Sequence, residues 1–163
     1  MGYRAILEAS PETVQDMEIA AQRRLEEAYT LLLAGKNHTA IYIAGLSAEM
    51  YLKTACFFLG GARPADSIQA HLAPLRSKRY RPPFKKDFES GHGLWFWCQE
   101  LLDRRRRIRR RKAPNRFRQV AASIYDDWFI GMRYRPGSAT RDDAASFLTQ
   151  VAWIANNHAV LRT

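Results

Sequence analysis

The chain has 163 residues, 47% of them apolar and 26% charged, and a formal net charge of +10. That length suits a single domain, residues 1–163, with a core that needs no disulfide or metal, and the composition excludes wholesale disorder. Cys56 and Cys98 make no disulfide framework, no apolar run is long enough to span a bilayer, and the N-terminus has no basic-then-apolar leader pattern. A cytoplasmic protein without a membrane span is expected.

The first helix is predicted to start at Ser10-Pro11-Glu12: a hydroxyl cap, a proline at the first position and an acid in the first turn. Ile19, Leu25, Ala28, Tyr29, Leu32 and Leu33 then recur at a helical period, and Gly35 closes the segment. A short link through Lys36 and Asn37 leads to a second helix over about 39–59, which favours an antiparallel pair. This second segment is apolar almost all round, as a central helix must be. Its small residues Ala40, Ala44, Ser47, Ala48 and Ala55 allow close approach.

Gly60-Gly61 ends that helix. Residues 62–90 carry four prolines and many cations and read as a long, partly mobile loop, with a short helix near 67–72. A third helix is predicted from near His92, stopped or kinked by Pro114. A fourth over about 116–132 has the stripe Phe117, Val120, Ala121, Ile124, Tyr125, Trp128, Phe129 and Met132. A fifth opens at Thr140 with Asp143 at the third position and carries Ala144, Phe147, Leu148, Val151, Ile154, Ala155 and His158 on one face. The expected fold is all-α: a bundle of about five helices with a basic insertion between the second and third.

The charge is concentrated. Residues 74–118 hold 16 Lys and Arg against 4 Asp and Glu, while the rest of the chain holds 10 against 12. At its centre lies Arg104–Lys112, with seven Arg and one Lys in nine residues. Cations around nearly every side of a helix repel one another and fray it unless anions bind. Arginine suits phosphate because its planar fork bonds two oxygens. Arg104, Arg105, Arg106, Arg107, Arg109, Arg110, Arg111 and Lys112 are therefore candidate phosphate ligands. Trp95, Phe96 and Trp97 nearby offer rings for base stacking, although consecutive residues face different ways and at least one belongs to the core.

The second helix contains A-x-Y-x-A-G-x-x-x-E-x-x-L-K, carried here by Ala40, Tyr42, Ala44, Gly45, Glu49, Leu52 and Lys53. Gly91-His92-Gly93-Leu94 follows before the third helix, and Trp128 through Met132-Arg133-Tyr134 before the last. In this order and spacing the pieces resemble the HEPN superfamily (higher eukaryotes and prokaryotes nucleotide-binding) over most of residues 17–160. The resemblance implies an all-α bundle, a homodimer, and RNA- or nucleotide-related biology. Many members are ribonucleases paired with a minimal nucleotidyltransferase. Those enzymes share an Arg, four to six residues and a His. Here the matching positions hold Leu31, Leu32 and Leu33 before His38, and Pro64, Ala65 and Asp66 before His71. They hold Lys85, Lys86 and Asp87 before His92, and Val151, Ala152 and Trp153 before His158. The motif is absent, so little or no ribonuclease activity is expected.

Glu49 and Lys53 stand four apart in the favourable order for a helical ion pair and read as family-motif residues with a structural role. His92, beside Gly91, reads chiefly as a cap; His92 and Arg133 are the catalytic candidates if a divergent ribonuclease survives. Arg133 and Tyr134 form a cationic and aromatic lip able to hold a phosphate or base. His158 reads as a satisfied core or interface group and His38 as an exposed one. The four histidines lack metal-ligand spacing, so neither metal nor cofactor is expected. The leading functional expectation is a catalytically silent module that binds RNA, a nucleotide or another polyanion. The alternatives are a protein-interaction subunit beside a nucleotidyltransferase in a toxin–antitoxin or defence system, and a divergent ribonuclease.

Overall fold

The computed structural model describes residues 12–75, 93–108, 114–128, 132 and 137–163. Among these the chain is all-α, with seven helices and no strand. They are α1 (Val14–Leu33), α2 (Asn37–Leu59), α3 (Ile68–Leu72), α4 (Leu94–Arg107), α5 (Asn115–Asp127), α6 (Arg141–Asn156) and α7 (His158–Leu161). A 3-10 turn, Ala73–Leu75, follows α3. The five long helices are those predicted, α3 is the short helix expected near 67–72, and α7 is a short addition.

α2 is the axle, packed against α1, α4, α6 and α7. Fourteen of its 23 residues are buried, so no face is left for a polar stripe. Small residues bring α1 against it: Ala21 and Ala28 are fully buried, and the Ser47 hydroxyl donates to the Ala21 carbonyl at 2.7 Å. A side chain reaching a neighbouring helix's backbone requires a close crossing. Between the two helices Gly35 takes φ +73°, a left-handed conformation glycine adopts at least cost.

Several boundaries differ from expectation, each for a local reason. α1 begins at Val14, not at Ser10-Pro11-Glu12, of which Ser10 and Pro11 lie outside the described residues. Thr13 is the cap: its hydroxyl accepts from the Asp16 amide at 3.1 Å, and the Asp16 carboxylate accepts from the Thr13 amide at 3.0 Å. The next two amides, Val14 and Gln15, donate to the carbonyls of Asp66 and Pro64. The first part of the predicted loop, residues 62–75, is thus tied to the start of α1. It includes the short helix expected there, and His71 stacks on Phe57 with ring centroids 5.4 Å apart. Residues 76–90, most of the basic insertion, lie outside the described residues.

α5 ends at Asp127, short of the predicted 132, because Trp128 turns extended at φ −131°, ψ 137°. That turn lets its indole N–H donate to the Tyr42 carbonyl at 3.1 Å. Thr140 and Asp143 cap α6 reciprocally, as predicted. The helix then breaks at Asn157, whose amide side chain donates to the Trp153 carbonyl at 2.8 Å, so His158 opens α7 instead of closing α6. His38, expected exposed, is half-buried, its Nε2 3.1 Å from the Met132 carbonyl. No described helix is long and apolar enough to cross a membrane.

Candidate functional site

The core stripe of α4 is Leu94, Trp97, Cys98, Leu101 and Arg105. Arg105 thus falls where the helical period puts a core residue, and it is 4% exposed. Its guanidinium donates to the carbonyls of Val160 at 2.7 Å and Leu161 at 2.9 Å. These belong to the last turn of a helix, where carbonyls lack intrahelical partners and the helix dipole is negative. Arg104 does the same at the end of α2. Its Nη1 donates to the Cys56 carbonyl at 2.6 Å and its Nε to the buried Glu100 carboxylate at 2.5 Å. α4 accordingly stays helical through Arg107.

The arginine run, read from the sequence as eight candidate phosphate ligands alike, therefore divides. Arg104 and Arg105 are fixed to backbone at the ends of α2 and α7. Arg106 and Arg107 face solvent, Arg106 with a side chain 66% exposed and only a 3.5 Å contact to Asp103. Arg109, Arg110, Arg111 and Lys112 lie outside the described residues. So do His92, Arg133 and Tyr134.

Glu49 and Lys53 form a buried ion pair on α2. The Lys53 ammonium also lies 5.3 Å from the centre of the Trp97 ring. Trp97 is fully buried, edge-on to Phe57, and is the core member of the aromatic triplet; Trp95 and Phe96 are half-buried, Trp95 against Tyr125 at 5.5 Å. Two pieces of the sequence motif meet directly. The Trp128 ring occupies the space beside Gly45 that any larger residue would need. Cys56 and Cys98 are both buried, the Cys56 thiol 3.6 Å from the Trp97 carbonyl, and burial pushes the Cys98 thiol up to about 12.

One polar cluster escaped sequence reasoning except for His158. The His158 Nδ1 lies 3.1 Å from the Glu18 carboxylate, and its Nε2 lies 2.9 Å from the Thr54 hydroxyl. Arg162 donates to both Glu18 oxygens, at 2.9 and 3.2 Å. Burial, the largest influence, and Arg162 hold the imidazole below its ordinary value, against the opposing pull of Glu18 and the Tyr51 carbonyl. A carboxylate, an imidazole and a hydroxyl in line are the parts of a nucleophilic relay. Thr54, however, has no exposed surface and lies within hydrogen-bond reach of the Met50 and Tyr51 carbonyls. No substrate reaches it, and the set ties α1, α2 and α7 together. Partners up to 144 residues apart left no sequence signal.

Among the described residues no group of His, Cys, Asp and Glu could hold a metal ion. His38, His71 and His158 are each engaged in packing or hydrogen bonds. Comparison of the chain with protein-family models, curated proteins and solved structures returns no match.

Proposed function

We propose that this chain is a HEPN-like, catalytically silent cytoplasmic module that binds RNA or another polyanion through the cations leaving the end of α4. The observation that carries the reading is the division of labour along the run. Arg104 and Arg105 anchor the helix end to three backbone carbonyls, while Arg106 and Arg107 point to solvent. A positive segment leaving a fixed point presents its charge with less ordering cost than a free tail. Arg109, Arg110, Arg111 and Lys112 continue the same cationic run in sequence, and Arg133 and Tyr134 remain candidate contacts to a phosphate or base. The meeting of Gly45 with Trp128 supports the HEPN-like reading, since it joins two pieces of the motif across 83 positions of sequence. The Glu49–Lys53 pair is structural in this account. The test is RNA binding by fluorescence anisotropy across a salt series, with Arg106→Gln/Arg107→Gln against the unmodified chain. The double variant should weaken binding and flatten the salt dependence; unchanged affinity would overturn the assignment.

A second reading, a subunit docking on a nucleotidyltransferase-type partner, draws on α1. Its Ile19, Tyr29 and Leu33 are large apolar residues left exposed, Leu33 by 79%. Homodimerisation belongs to the same HEPN-like proposal, and sedimentation at micromolar concentration tests it: a monomer counts against it.

A further inference from the structure

We propose that the C-terminal turn, residues 158–163, is an acid-released clasp, closed by the neutral His158 ring between Glu18 and Thr54. Around the turn, α1, α2 and α4 each contribute a polar or charged group. α1 supplies Glu18, which also receives Arg162. α2 supplies the Thr54 hydroxyl and Tyr51, whose ring lies 5.2 Å from the imidazole. Burial, together with Glu18 and Glu26, makes the Tyr51 phenol harder to ionise, so it stays neutral across the range that matters. α4 supplies Arg105, gripping the Val160 and Leu161 carbonyls. The turn itself contributes Arg162, which rests 5.0 Å over the Phe58 ring.

In the closed state the neutral imidazole satisfies both its nitrogens. Nδ1–H donates to Glu18, and Nε2 accepts from the Thr54 hydroxyl. A second proton turns Nε2 into a donor, and the Thr54 hydroxyl must swing to the Met50 or Tyr51 carbonyl, each 3.1 Å away. The cationic ring is then held almost without solvent, 4% exposed, close to Arg162. Opening the turn returns the ring to water. Burial outweighs the pull of Glu18 and keeps the closed-state ring harder to protonate than a free one. The closed state is therefore fully favoured above about pH 6.5, the ordinary value of a free histidine. That preference fades as pH falls toward the closed-state value. A four-residue helix set off from α6 by the break at Asn157 can open without unfolding the bundle. Release uncovers Phe58 and the seat of Leu161, and frees Arg105 from its two carbonyls.

The test uses the intact chain. Heteronuclear NMR follows the His158 ring, and hydrogen exchange, corrected for intrinsic rates, follows the Leu161 and Arg162 amides, which donate to the Asn157 and His158 carbonyls. The ring should titrate below about 6.5. Protection of the two amides should fall on acidification by about tenfold for each unit of that displacement. Amides of α2 should keep theirs, and His158→Gln should show no such acid step. A ring titrating at or above the free value, protection independent of pH, or an equal loss in α2 would each overturn the clasp.

Discussion

Gly45 on α2 and Trp128 just beyond α5 share one volume: a Cβ at position 45 would fall within the indole ring. Gly45→Ala sets two effects against each other. Alanine gains about 1 kcal/mol of helix propensity in a helix interior. Against that stand about 1–3 kcal/mol of overpacking and about 1 kcal/mol for the indole hydrogen bond to Tyr42. The ring is buried and cannot move aside freely, so the variant should be less stable by about 1–3 kcal/mol. A urea transition with an unchanged or raised midpoint would contradict this.

The arginine run should split in stability as it does in position. Arg105→Gln leaves the Val160 and Leu161 carbonyls short of their cation, at a cost of about 2–4 kcal/mol. Arg106→Gln removes an exposed side chain and should stay within about 0.5 kcal/mol of the parent. Thermal melts of the two variants side by side check the contrast; equal midpoints would speak against an anchored helix end.

Asp127 should be a liability at neutral pH. It ends α5, where the helix dipole disfavours an anion. Its carboxyl is harder to ionise than usual, first through partial burial and then through Asp126 and Asp143. A carboxyl raised on folding destabilises the charged folded state at neutral pH, and the penalty disappears as pH falls through its folded and then its ordinary value. Asp127→Asn should therefore stabilise the chain by about 0.3–1 kcal/mol at pH 7 and by nothing near pH 3. A gain that persists in acid would point to another cause.

What was legible was what the sequence encodes locally. The Thr140–Asp143 box lies within one turn, and the apolar second helix has no alternative to the centre of the fold. The start of α1 differs from expectation because Ser10-Pro11-Glu12 and Thr13-x-x-Asp16 carry overlapping cap chemistry, and the second closes both hydrogen bonds of a capping box at the observed helix start. The site was legible as a charge cluster and not as a division of labour. Arg104 and Arg105 are anchored to backbone carbonyls 48 and 55 residues away, and no residue type marks which carbonyl will take an arginine. The Arg105 position was nonetheless readable, since it continues the spacing of Leu94, Trp97, Cys98 and Leu101.

Salt should separate the anchored arginines from the exposed ones. A run of cations facing several ways cannot share one base-reading geometry, so it should meet phosphates, largely independently of sequence. Four to six phosphates met at once give a log–log salt slope of roughly −3 to −5. The anchored pair should contribute little of that slope, because their guanidiniums are already committed to carbonyls. Arg106→Gln/Arg107→Gln should flatten the slope by about 1.4–1.8, roughly 0.7–0.9 for each phosphate no longer neutralised. Arg105→Gln, measured where it remains folded, should change the slope by much less while lowering stability. If instead Arg105→Gln flattens the slope as much as the exposed pair does, the anchor is not held when RNA is bound. If neither variant changes it, the run carries no phosphate footprint.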